Sequence, residues 1–216
     1  MAVKSHFKMS EPTVCGLSMS FDWDEAYRSG QYRKEWDLSA GSQEIATCAA
    51  LGIFPKNGLI LDIGCGSGSD AVFLATLGFR VKALDISPAA LELVKEKAAN
   101  AGVKVETVHG SATMMPIDPA SIDFALDRGL LHNLSDEEGR AYAKELARIL
   151  KPGAGLLLRG ARVSYDGNFN PITSERVRAT FSDTLFSIGR VVPMAMVSDA
   201  PGDRILDGAV VIIRRR

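Results

Sequence analysis

The residues best suited to chemistry lie at the ends of two apolar runs. GLILDI, residues 58–63, ends on Asp62 and Ile63 and passes straight into a loop with Gly64, Cys65, Gly66 and Gly68. RVKALD, residues 80–85, ends on Asp85. Glycines at alternate positions let a ligand lie against the backbone. A carboxylate at the end of the next strand accepts both hydroxyls of a ribose and repels a 2′-phosphate. A second set comprises Arg128, Arg159 and Arg162, with His132 close to the first of them. Guanidinium groups at neighbouring strand ends imply an anion, or a nucleophile whose ionised form is stabilised there. For Arg159 and Arg162 a surface salt bridge is an equal reading.

Alternating elements must hold these residues. SQEIATCAALGIF reads as a helix with Ile45, Ala49 and Leu51 inward, stopped by Gly52 and Pro55. From residue 59 the pattern becomes strand, helix, strand. DAVFLATLG is a helix, and Ser87 caps another that has Pro88 in its first turn and runs to Asn100. VKVETVH and IDFALD are the third and fourth strands. SDEEGRAYAKELARIL opens with Ser135 and Glu138 at capping-box spacing and buries Tyr142, Leu146, Ile149 and Leu150. KPG ends that helix, GLLLR is the fifth strand, TSERVRATF is a short helix, and RVVPMAMV and GAVVIIR finish the chain. The order implies an α/β fold, a mostly parallel sheet with helices on both faces. In such sheets ligands sit beyond the carboxyl ends of the strands, where strand order reverses.

At 216 residues the chain suits one domain. Residues 1–20 read as a mobile arm, 21–57 as lid or cap helices, and 58–216 as the ligand-binding domain. The 46% hydrophobic and 24% charged residues are ordinary for a globular protein. A net charge of -1 argues against a nucleic-acid partner. The closing Arg214, Arg215 and Arg216 read as a solvated tail. Cys15, Cys48 and Cys65 fit neither a disulfide framework nor a zinc site, no leader is visible, and no apolar run reaches the roughly 20 residues that span a bilayer. The expectation is a cytoplasmic protein without a membrane partner, of open oligomeric state. No His, Asp or Glu cluster has metal-ligand spacing, so the chemistry is expected to be metal-free.

The loop discriminates between ligands. A dinucleotide fingerprint needs a third glycine three residues beyond the second, where this chain has Ser69, and no GK[ST] follows for a Walker loop. Ribose, adenine and a compact polar tail fit, and S-adenosyl-L-methionine combines them. The plain alternative is a tight turn with no ligand. An NAD-linked oxidoreductase and a non-catalytic nucleoside-binding module are the rival functions.

LDIGCGSGSDAVFLATLGFRVKALDIS resembles the first motif and acidic second strand of class I methyltransferases. The resemblance implies a Rossmann-like, seven-stranded, mostly parallel sheet with the last strand antiparallel. It implies that Asp62, Gly64, Cys65, Gly66 and Gly68 line the methionine side, that Asp85 holds the ribose with Ile86 beside the adenine, and that Ser111 and Ala112 complete the adenine site. Many relatives carry an acid at the position of Ser111, so the chain departs there. Cys65 reads as a small packing residue rather than a nucleophile.

The triplet Asp127, Arg128, Gly129 lacks the prolines and aromatic of base methylators. With the spaced aromatics Trp23 and Tyr27 it resembles thiopurine methyltransferase and its small bacterial relatives. That resemblance implies an aromatic N-terminal segment folded over the cofactor (Trp23, Tyr27 and Trp36, with Asp127 on the same side) and an Arg128 that faces the substrate. A helix packed on the domain edge is the competing reading of the aromatics. The acceptor expected is a small molecule, anionic or a thiol, with sulfur favoured and oxygen or nitrogen close behind. A thiolate forms readily near arginine and scarcely needs a base. His132 is a candidate general base or a structural histidine, His109 is structural, and YDGNFNPIT, residues 165–173, is a candidate pocket wall or an ordinary connection.

Overall fold

The computed structural model describes residues 21–164, 169–197, 199 and 205–216. The arm expected at 1–20, with Cys15, and the first part of YDGNFNPIT lie outside the described residues. Two helices, α1 (Trp23–Arg28) and α2 (Gln43–Ala50), precede the sheet. Then come β1 (Leu59–Ile63), α3 (Ser69–Thr76), β2 (Arg80–Asp85), α4 (Pro88–Asn100), β3 (Glu106–His109) and β4 (Ile122–Arg128). The chain continues with α5 (Asp136–Ile149), β5 (Leu150–Ala161), α6 (Ser174–Thr180), β6 (Phe186–Ile188), β7 (Val192–Val197) and β8 (Ile205–Arg215). Among the described residues no helix is long and apolar enough to cross a membrane.

The strand order is β3-β2-β1-β4-β5-β8-β6, with β7 also paired to β8. β1 to β5 pair in parallel, and β8 runs antiparallel to β5, from Gly155 opposite Arg214 to Ala161 opposite Gly208. The last strand is therefore the reversed one, as expected. β6 and β7 share the free side of β8, at Phe186–Ile188 and Val192–Val197, and Gly189 N–H bonds Ile212 O at 2.9 Å between them. Together they make one interrupted strand, so the expected seven positions are filled by eight segments.

Strand order reverses at β1, which has β2 on one side and β4 on the other. That puts the crevice of an open α/β sheet at the carboxyl ends of β1 and β4. Both faces are covered, which is why β1 reads as a continuous apolar run. Leu61 and Ile63 join Tyr142, Leu146, Ile149 and Phe181 on the α5–α6 side. Ile60 joins Ile45, Leu74, Leu91, Val94 and Phe124 on the other. Truncating one such buried leucine to alanine costs about 2–5 kcal/mol.

Local signals hold where expected. Ser87 Oγ accepts the Ala90 N–H at 3.1 Å to cap α4, and Ser135 and Glu138 form a complete capping box on α5. Four expectations need correction. Leu51 is 71% exposed, because α2 stops one residue before it. β3 begins only at Glu106, since Val103 N–H still closes the end of α4 on Ala98 O. KPG does not separate α5 from the fifth strand: β5 starts at Leu150 and absorbs the extra residues in a register shift opposite Ile122 and Phe124. The terminal arginines are no free tail, for Arg214 and Arg215 lie in β8, and Arg215 and Arg216 donate to Ala147 O and Phe186 O.

Candidate active site

The glycine loop is tied to β2 at its start. Gly64 and Cys65 both donate their N–H to Leu84 O, at 2.8 and 3.1 Å. Gly66 and Gly68 have φ of +54° and +81°, which side chains resist, and each also lacks room. A Cβ on Gly66 would lie 2.5 Å from the Tyr27 hydroxyl, and one on Gly68 would lie 2.7 Å from Val94 Cγ2. Cys65 is buried, and burial pushes its thiol well above the usual range, with Asp85 and Asp62 adding to the effect. A thiol held neutral is a poor nucleophile, which agrees with a packing role.

Asp85 stands across from this loop. Its Oδ2 accepts the Gly66 N–H and its Oδ1 the Ser87 N–H, both at 2.9 Å. Burial raises its pKa, while the Ser87 and Gly66 N–H groups pull it back. The carboxylate thus sets the shape of the loop as well as marking the end of β2. Beyond it, Ile86 projects outward, 56% exposed, and its carbonyl meets His109 Nε2 at 3.0 Å. Ala112 is buried, and Ser111 Oγ accepts the Thr113 N–H at 3.2 Å in a local turn.

An aromatic layer covers the loop. Trp36 Nε1–H donates to the Tyr27 hydroxyl at 3.1 Å, and the Trp23 and Trp36 rings lie edge to face at 5.7 Å. Burial is the chief reason that the Tyr27 hydroxyl titrates well above its ordinary value. Asp24 fixes α1 to α4, accepting from Ser87 Oγ at 2.8 Å and from the Ala89 N–H at 2.9 Å. The Ala89 N–H and then the Ser87 hydroxyl hold its pKa down at about 2. Ser67 Oγ donates to Asp37 at 2.5 Å, Ser69 Oγ to Leu38 O, and Lys97 Nζ reaches both serines at 2.8 Å. Asp24, Asp37 and Lys97 are thus organising residues that sequence reasoning missed. Single polar side chains on helices carry no signal for a contact so distant in the chain.

The acceptor side is built around β4 and β5. Asp127 accepts the Leu130 N–H at 2.8 Å and the Leu131 N–H at 3.2 Å, which bends the chain after β4. Leu130 in that bend comes within reach of Gly64. Burial raises Asp127 to about 7, and burial together with Asp70 raises Asp62 to about 8. Arg128 Nε bonds Asp70 Oδ2 at 3.0 Å, while Asp70 Oδ1 accepts the Ser42 N–H at 2.7 Å. Arg159, opposite Arg128 in the parallel register, pairs with Glu44 of α2 in a buried contact, not a surface one. Arg162 points away, into a two-pronged salt bridge with Asp207 at 2.9 and 2.6 Å.

His132 is placed as a scaffold. It is buried, its Nδ1 accepts the Ala161 N–H at 2.7 Å, and its ring packs on Phe169 with centroids 4.3 Å apart. Burial first, then the charges of Arg159 and Arg176, lower its pKa to about 3. Of the two readings of His132, general base or structural histidine, its burial and its bond to Ala161 favour the structural one. Two open surface concavities lie elsewhere, one along Gly189, Arg190 and Val191 and another along Pro193, Met194 and Ile205.

Three features fit an adenosyl cofactor: a loop with no space for side chains, a buried strand-end carboxylate facing it, and aromatic rings above. Comparison with known proteins agrees. Residues 60–153 match a family model described as a methyltransferase domain. Demethylmenaquinone methyltransferase of Clavibacter sepedonicus is 35% identical over 125 residues, 56% of this chain and 49% of that protein. The chain spans about half the length of the curated relatives it matches. A solved structure described as converting a disulfide bond into a thioacetal group during echinomycin biosynthesis has a TM-score of 0.80 at 25% identity, covering 89% of this chain and 90% of that one. Magnesium protoporphyrin IX methyltransferase from Synechocystis PCC 6803, with SAH bound, shares the fold at a TM-score of 0.64 and 21% identity over 80% of each chain. Residues 60–153 therefore match a methyltransferase domain, and the chain carries the Rossmann-like methyltransferase fold.

Proposed function

We propose that the chain transfers a methyl group from S-adenosylmethionine to a small-molecule acceptor, favouring a thiol or heteroaryl sulfur, with oxygen or nitrogen close behind. The observation that carries this reading is Asp85, 6% exposed and bonded to the Gly66 N–H at 2.9 Å. One carboxylate shapes the loop and still has lone pairs for ribose hydroxyls. Bound there, the cofactor supplies a methyl group activated by a sulfonium. Gly64, Cys65, Gly66 and Gly68, with Asp62, hold its amino-acid tail; Ile86, Ser111 and Ala112 border the adenine; Trp23, Tyr27 and Trp36 close the site, and Asp127 borders the cofactor by holding the bend after β4. Aromatic faces suit a cation.

In-line displacement needs the nucleophile held about 3 Å from the methyl carbon with water excluded. The aromatic layer excludes the water. Arg128 stabilises the ionised nucleophile or an acidic group beside it, the role that the thiopurine-type triplet implies. A thiolate near a guanidinium needs no strong base, and His132 then serves to hold the wall. The structural neighbour that converts a disulfide to a thioacetal handles sulfur, which supports the sulfur preference.

Thermal shift distinguishes the cofactors. S-adenosylhomocysteine at 100 times its Kd should stabilise the chain by roughly 2.7 kcal/mol, and NAD should leave the melting point unchanged. A shift with NAD alone would sink the proposal. Incubation with S-adenosylmethionine and cell extract should yield S-adenosylhomocysteine. A chain that binds the cofactor and never forms that product is a binding module.

A further inference from the structure

We infer that Arg128 and Arg159 form a subsite for a carboxylate on the methyl acceptor, and that Glu44 of α2 fills it when no acceptor is bound. The inference rests on the methyl-transfer reading above and names the acceptor's second group.

The two arginines are register partners at the carboxyl ends of adjacent parallel strands. Arg159 is 5% exposed, and burial followed by the charge of Arg128 lowers its pKa. Two like charges held side by side, one buried and one half-buried, need anions. Asp70 and Glu44 supply them, yet the two are differently placed. Asp70 belongs to α3, directly behind the glycine loop, and is fixed on its other oxygen by the Ser42 N–H at 2.7 Å. Glu44 comes from α2, ahead of the sheet, and meets Arg159 through Nη1 alone.

Arg159 Nε is buried and has no hydrogen-bond partner among the described residues. A buried guanidinium donor left unpaired is uncommon and costly. The fork of arginine matches the two oxygens of a carboxylate, and Glu44 uses only one prong. A planar carboxylate reaching Nε answers the orphan donor while displacing Glu44. Lysine would not give that geometry.

The test uses the full chain saturated with S-adenosylhomocysteine, titrated by calorimetry with benzoate and, as the neutral control, benzamide. Benzoate should bind about tenfold more tightly than benzamide, the worth of one charged hydrogen bond. Arg159→Met should remove that preference with the S-adenosylhomocysteine affinity unchanged. Glu44→Gln, which keeps both arginines and weakens the competitor, should tighten benzoate about threefold. Should Arg159→Met fail to fold by circular dichroism, Glu44→Gln still decides, because an unchanged benzoate affinity there refutes displacement. Tight S-adenosylhomocysteine with no benzoate preference overturns the subsite alone. Failure to bind S-adenosylhomocysteine overturns the methyl-transfer reading and this inference with it.

Discussion

The ends of β1 and β2 and the ends of β4 and β5 solve the same problem by different means. At the first pair, the work is done by backbone: positive-φ glycines, N–H groups on Leu84 O, and one carboxylate bridging Gly66 and Ser87. At the second pair, long side chains meet from α2, α3, β4 and β5. A backbone site is fixed once the turn is fixed and tolerates few substitutions. A side-chain site can be re-aimed one residue at a time, which suits the half of the fold that distinguishes acceptors.

The sharpest break in that contrast is Gly66→Val. A β-branched side chain at φ +54°, 2.5 Å from the Tyr27 hydroxyl at its first carbon, adds strain to overpacking. It should cost about 3 kcal/mol in urea denaturation and abolish S-adenosylhomocysteine binding. No comparable collapse should follow at the β4 end from a side-chain change that leaves the charges balanced.

Arg128 makes that second half of the comparison testable. Arg128→Met strips the buried Asp70 of its ion-pair partner and should destabilise the fold by about 3 kcal/mol. Adding Asp70→Asn should recover most of the loss, a coupling visible in a double-mutant cycle. If the double variant is as unstable as the sum of the singles, the pair is no unit. Activity should fall in both variants, because each lacks the guanidinium.

The contrast explains what the sequence made legible. The backbone half is local: Asp62 to Asp70 spans nine residues, and Asp85 lies at the end of the very next strand, so spacing alone brought them together. Helix caps at Ser87 and Ser135 are local too. What stayed hidden depends on contacts remote in the chain. Glu44 lies 115 residues from Arg159 and Ser42 lies 28 from Asp70, with no periodicity to mark either. Phe186–Ile188 is only three residues long, too short for an alternating pattern, and becomes a strand because β8 offers a free edge. His132 reads equally as base or scaffold from its type, and only its burial favours the scaffold.

Asp85→Asn sharpens the backbone half with a smaller effect. Asparagine keeps the size but offers one acceptor for the two N–H groups of Gly66 and Ser87, so the ligand-free chain should stay folded and lose about 1–2 kcal/mol in urea denaturation. The ribose would lose a charged partner, weakening S-adenosylhomocysteine by about 2 kcal/mol, near thirtyfold by titration. An affinity within twofold of the parent would mean that the nucleoside is held elsewhere.

The smallest effect concerns His132 and appears only below neutral pH. Its folded pKa is about 3 against 6.5 when exposed, so the unfolded chain binds a proton that the folded chain refuses. Stability from this group is therefore whole above 6.5 and falls as pH drops from 6.5 toward 3. Asp127, raised from 3.8 to about 7, acts in the opposite sense, losing stability as pH climbs between those values. The two trends overlap, so the parent's pH profile alone identifies neither. His132→Asn separates them, because its side-chain oxygen can accept the Ala161 N–H in place of Nδ1 and takes up no proton. Between pH of about 7.5 and about 5.8 the variant should lose roughly 1 kcal/mol less than the parent in urea denaturation. An identical decline in both would mean that the imidazole is protonated in the folded state, and a proton-accepting role at position 132 would reopen.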